Sequence, residues 1–204
     1  MTLLTFYFIL ASILGLHSVK TQNSPLKFGY CLVPDVKTDF DPTMFFAGRW
    51  YKQLGFGSLF QDIIGICPTV EYKITDDGEI KSLDYLYNQI LQVYVFKSGN
   101  SYTRYIHDNL GYLSFTFNLG QGLLRETYPM YIIDTDYDDF AIVYYCRSFL
   151  FFMKTEAAWV MSRSRNEASP DQPAIIDALK RSGLDYSLFK PEVNTGCGLN
   201  EPNL

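Results

Sequence analysis

Between residues 47 and 163 apolar and polar positions alternate with a period of two, the spacing of strands with one wet face. Val70, Tyr72 and Ile74 interleave with Glu71 and Lys73, and Ile80, Ser82, Asp84 and Leu86 with Glu79 and Lys81. Asp76-Asp77-Gly78 between them is a tight-turn sequence. Further runs span 89–96, 102–107, 112–119, 128–135, 140–146 and 155–163. Turn residues separate most of them, including Ser98-Gly99-Asn100, Asp108-Asn109 and Gly120-Gln121-Gly122. Strands so spaced, with no helix between them, predict an all-β antiparallel sandwich or barrel. One helix follows. Ser169-Pro170-Asp171 and Pro173 open it, Gly183 closes it, and Ile175, Ile176, Ala178 and Leu179 form an apolar stripe that must lie against another surface.

Residues 3–16 carry no charge. A spanning helix needs about 20 apolar residues, so the run fits the core of a secretory signal peptide better than an anchor; a buried N-terminal helix is the alternative. Cleavage near residue 21 leaves 22–204 as a single domain in a secreted, extracellular protein. Export permits disulfides. Cys31, Cys67, Cys146 and Cys197 allow three pairings, and neither C-x-x-C nor zinc-site spacing occurs. No N-x-[ST] sequon is present.

Composition narrows the function. Lys plus Arg is 17 against 22 Asp plus Glu, a net charge of -5, which argues against nucleic acid as a partner. Only His17 and His107 occur, so chemistry built on clustered imidazoles, whether catalytic or metal-binding, is not expected. The aromatic fraction of 17% favours strands and suits residues that line a hollow as well as fill a core.

Three motifs in order carry a resemblance: Gly48-Arg49-Trp50 in the first barrel strand, Thr135-Asp136-Tyr137 between two late strands, and Ala158-Trp159-Val160-Met161-Ser162-Arg163 in the last. With the helix and the final Cys197, they resemble the lipocalin family, nearest its apolipoprotein D-like and insect bilin-binding members. The resemblance implies an eight-stranded antiparallel up-and-down β-barrel of the lipocalin/calycin type, with one C-terminal α-helix packed outside. It gives structural roles to Gly48, Trp50, Thr135, Asp136, Tyr137 and Arg163, with Arg163 over the Trp50 ring. It also implies the pairs Cys31–Cys146 and Cys67–Cys197, and ligand contacts at Tyr72, Asp84 and Trp159. Strand parity adds Val70, Leu86, Phe115, Phe117 and Met161 to the inner wall; the competing reading of that stripe is a filled core.

The function implied is that of a secreted carrier for a small hydrophobic molecule: a lipid, fatty acid, sterol, carotenoid or bilin-type pigment. No other cofactor and no catalysis are expected. The alternative is a pigment-protein subunit or scavenger acting through protein–protein contacts, with the chain a monomer or weak homo-oligomer. Asp84 stands where the family more often has an amide, which suggests a donor-bearing ligand in preference to a fatty acid. Phe149-Leu150-Phe151-Phe152-Met153 falls at the open end in this topology. It reads as a greasy lip for membranes, lipoproteins or a second subunit, as a flap over the mouth, or as continuing strands. The segment 83–102 is longer than in apolipoprotein D-like chains and lengthens one strand and its turn near the open end.

Overall fold

The computed structural model describes residues 26–57, 65–119, 123–149, 152–166 and 172–204. The expected signal peptide, Gly120-Gln121-Gly122, Leu150, Phe151 and the Ser169-Pro170-Asp171 helix start lie outside them. Eight strands run antiparallel in chain order: β2 (Gly48–Phe56), β3 (Gly65–Ile74), β4 (Glu79–Asn88), β5 (Val93–Tyr102), β6 (Tyr112–Leu119), β7 (Leu124–Thr135), β8 (Phe140–Phe149) and β9 (Met153–Ser162). β9 pairs with β2 as well as β8, so the sheet closes into a barrel. Short strands extend it, β1 (Leu26–Phe28) on β9 and β10 (Lys190–Pro191) on β2. A one-turn helix α1 (Pro42–Phe45) precedes β2, and α2 (Gln172–Arg181) follows the barrel.

Alternation along each strand divides two cores. Trp50, Tyr72, Ile80, Phe115, Met130, Ile132 and Met161 point inward. The outer faces of β8 and β9 give Ile142, Tyr144 and Val160 to Ile175, Ala178 and Leu179 of α2. Those helix residues fall at i, i+3 and i+4, one face of a turn. Ile176, expected in the same stripe, is rotated off that face and 39% exposed. Burying Leu179 contributes about 1.5–3 kcal/mol to holding the helix down. Gly183, at φ +76, ends it in the left-handed region.

The β4–β5 hairpin departs from the expected boundaries. Ser98-Gly99-Asn100 is no turn; it lies within β5, paired with both β4 and β6. Gly99 is there for close approach, because a Cβ would sit 2.7 Å from both the Phe117 ring and Ser82 Oγ. The chain turns instead at 89–92, where the Asn88 side chain accepts the N–H groups of Ile90 and Leu91. Residues 103–105 form a 3-10 turn in place of the expected strand at 102–107. At the other end, Phe149 pairs with Met153 in the β8–β9 ladder. Both belong to strands, and the greasy lip is correspondingly shorter.

Disulfides join Cys31 to Cys146 and Cys67 to Cys197. The second anchors a C-terminal segment that mends the wall. β2 pairs with β3 only from Gly48 to Tyr51. Beyond that point β10 takes the place of β3 beside Leu54 and Gly55, Glu192 N–H donates to Gln53 O, and Cys67 N–H donates to Val193 O. Glu201 then accepts from Arg49, Arg165 and Tyr85 on the outer face.

Candidate ligand-binding site

The closed end of the barrel is a plug. Gly48, at φ +70, admits the chain to β2 in a conformation that favours glycine. Trp50 follows, fully buried, with its Nε1–H donating to Phe45 O at 2.9 Å. The Arg163 guanidinium lies 3.6 Å from the centre of the indole ring. It donates to the carbonyls of Met44, Ala47, Arg49 and Tyr137 at 2.6–3.0 Å. Thr135 Oγ1 donates to Phe140 O and accepts from Tyr137 N–H, while Asp136 accepts the N–H groups of Asp139 and Phe140. These groups fix one another and face no hollow.

Above the plug lies a cavity lined by Lys52, Val70, Tyr72, Ser82, Asp84, Phe117, Val143, Tyr145, Trp159 and Met161. Space open to a water-sized centre is ≈ 10 Å³, about one water molecule. The interior is thus largely filled by its own aromatic side chains, and a larger occupant requires them to turn aside. Val70, Tyr72, Asp84, Phe117, Trp159 and Met161 meet here. Phe115 lies deeper, fully buried against Phe46 and Tyr72. Leu86 is one inward step past Asp84 and packs near Gly65, outside the lining.

The polar side of this cavity has a definite charge arrangement. Lys52 is 3% exposed, and its Nζ lies 2.8 Å from Asp84 Oδ1 and 4.2 Å from the Trp159 ring centre. Lys97, the cross-strand partner of Asp84, sets its ammonium 3.5 Å from Oδ2. Burial raises the Asp84 pKa, but the two ammonium groups outweigh it and hold the carboxyl below its ordinary range. Burial dominates for Lys52 and lowers its pKa, opposed chiefly by Asp84. Burial also pushes the Tyr72 and Tyr145 hydroxyls upward, so both stay protonated donors at neutral pH. Gly55 makes the Trp159 position feasible, since a Cβ there would come within 2.6 Å of the indole.

Sequence reasoning missed Lys52, Val143 and Tyr145. Lys52 shares inward parity with Trp50, and that signal was available. A lysine in a strand otherwise reads as solvated.

At the open end Phe152 is exposed and stacks on Phe28 at 6.1 Å between ring centroids. Met153, half-buried, lies opposite Phe28. Ile90, Leu91 and Leu123, from neighbouring turns at the same end, are also exposed.

The Triabin family model matches residues 22–175. This chain is a member of the Triabin family. Apolipoprotein D of Macaca fascicularis is 23% identical over 193 residues, covering 93% of this chain and 95% of that protein. Insecticyanin from the tobacco hornworm Manduca sexta superposes with a TM-score of 0.69 at 22% identity, covering 85% of this chain and 92% of its own. The amine binding protein of Rhodnius prolixus, solved as a tryptamine complex, gives 0.65 at 23% identity over 81% of this chain and 86% of its own. At these identities the two structures establish the shared lipocalin-type barrel, and this Triabin-family chain builds its cavity from its own residues.

Proposed function

We propose that this Triabin-family protein is a secreted carrier that takes one small hydrophobic molecule into the barrel cavity. The observation that carries the reading is the placement of Tyr72, Phe117, Tyr145 and Trp159 around a buried polar pair in the middle of a closed barrel. Apolar walls with a few convergent polar groups are the usual make-up of a small-molecule site. The ligand classes are those of the resemblance, a lipid, fatty acid, sterol, carotenoid or bilin, and the Rhodnius relative adds amines to the comparison. Two disulfides suit an oxidising compartment. Binding without catalysis is the reading. All four cysteines are bonded, so no thiol inside the barrel is available as a nucleophile.

Native mass spectrometry of gently purified protein tests this directly. A co-purifying small molecule, released on unfolding, is the expected result. A bare mass together with no quenching of Trp159 by any apolar ligand overturns the reading. An absorption band in the visible would assign a pigment. The stacked Phe28–Phe152 pair favours an accompanying peripheral contact with a membrane or lipoprotein at the open end. Flotation with liposomes checks that contact, and a Phe152→Asp protein that floats like wild type removes it.

A further inference from the structure

Ser82 Oγ is the one buried side-chain polar atom without a hydrogen-bond partner among the described residues. It lies on the cavity wall, beside Tyr72 on β3 and Gly99 on β5, two residues before Asp84. A buried hydroxyl left unpaired is costly unless something is meant to meet it. Its surroundings indicate what that is.

A carboxylate beside an indole face is a seat for an ammonium group. Here Asp84 and Trp159 form such a seat, and the chain's own Lys52 sits in it, 2.8 Å from one and 4.2 Å from the other. The second Asp84 oxygen faces Lys97 at 3.5 Å. Both acceptors of the carboxylate are therefore held by cations. Glu192, from the C-terminal segment, also attracts Lys52, less strongly than Asp84 does. What the cavity presents to an occupant is a set of donors: the Ser82 and Tyr72 hydroxyls and the remaining N–H bonds of Lys52.

We propose that Lys52 sets the charge selectivity of the cavity, taking the place of a cationic amine, so that acceptor heads, above all a carboxylate, are admitted and ammonium heads are refused. This rests on the carrier reading and reverses the expectation that Asp84 selects a donor-bearing ligand. An incoming carboxylate meets Lys52 and Ser82 together. An incoming ammonium meets two cations and no uncapped oxygen of Asp84.

Dodecanoic acid, dodecanol and dodecylamine share one tail and differ only in the head. Each is titrated below its micellar concentration at pH 7, with Trp159 fluorescence as the readout and a Trp159→Phe protein to subtract Trp50. The acid is expected to bind at least about tenfold more tightly than the amine, a gap of about 1.4 kcal/mol, with the alcohol between. Lys52→Met should narrow or invert that ratio by vacating the seat beside Trp159. Ser82→Ala, a small change that the fold tolerates, should weaken the acid about fivefold and leave the amine unchanged. An amine that binds wild type as tightly as the acid overturns the proposal and leaves the carrier reading standing. An acid-to-amine ratio unmoved by Lys52→Met does the same. If none of the three binds, this inference falls, and the carrier reading is decided separately by the co-purifying small molecule.

Discussion

Two cations lie over two tryptophans inside this barrel, and their neighbours differ. Arg163 over Trp50 has its donors on backbone carbonyls, with Asp138 attracting it only at longer range. Lys52 over Trp159 is paired to the Asp84 carboxylate, with Glu192 attracting it more weakly, and lines a cavity. A guanidinium is planar and presents five donors in a fixed fork, so it can pin several strands at once. An ammonium is compact and can change partners. The first pair is pinned on every side, whereas the second borders the cavity, where the proposed occupant would meet it.

The comparison is broken most severely by removing the plug. Trp50→Ala is expected to cost about 3–5 kcal/mol of folding stability, read from urea unfolding. Trp159→Ala should cost somewhat less, at the lower end of that range, because its ring borders the small cavity while Trp50 is wholly enclosed. Asp84→Asn comes next. It strands the Lys52 ammonium in the interior at a cost of about 3 kcal/mol, whereas Lys52→Met combined with Asp84→Leu should stay within about 1 kcal/mol of wild type. A double variant as damaged as the single one would show that packing, not uncompensated charge, explains the loss. Arg163→Lys, which keeps the charge over Trp50 and loses the fork, should cost about 1–2 kcal/mol.

The pH dependence sharpens the contrast further. The Asp84 carboxyl is held below its ordinary 3.8, so its stabilisation is present above that value and is lost as the pH falls through its lowered folded-state pKa. Lys52 acts at the other extreme. Its ammonium is destabilised by burial, so folding gains as pH rises from its lowered pKa toward the ordinary 10.5. Unfolding midpoints of wild type should therefore fall more steeply in acid than those of the Lys52→Met, Asp84→Leu protein. The smallest effect is at the rim, where Phe152→Asp should change stability by under about 0.5 kcal/mol while lowering liposome association.

Much of the barrel was legible because period-2 alternation survives in β6 and in the second half of β3, where one face is wet, while β8 and β9, buried on both faces where the helix covers them, read as near-continuous apolar runs. The β4–β5 hairpin was misread for a physical reason. Gly99 stands in β5 because Phe117 and Ser82 leave no room for a side chain, and in sequence such a glycine looks like a turn. The true turn carries Ile90 and Leu91, which look like strand. In the cavity, Tyr72, Asp84 and Trp159 were named through the family resemblance and parity. Lys52 was not, since only three dimensions reveal that its charge has a partner 32 residues away. The β2 register shift between Lys52 and Leu54 hides it further, by turning Leu54 outward and Gly55 inward, so that the strand's parity breaks just past Lys52.

The strip of wall beside Gly55 comes from residues 190–193. A folding chain therefore holds an incomplete vessel until residues 190–193 have docked. Any proteolytic cut ahead of Lys190 that releases this strip leaves a slot flanking Trp159.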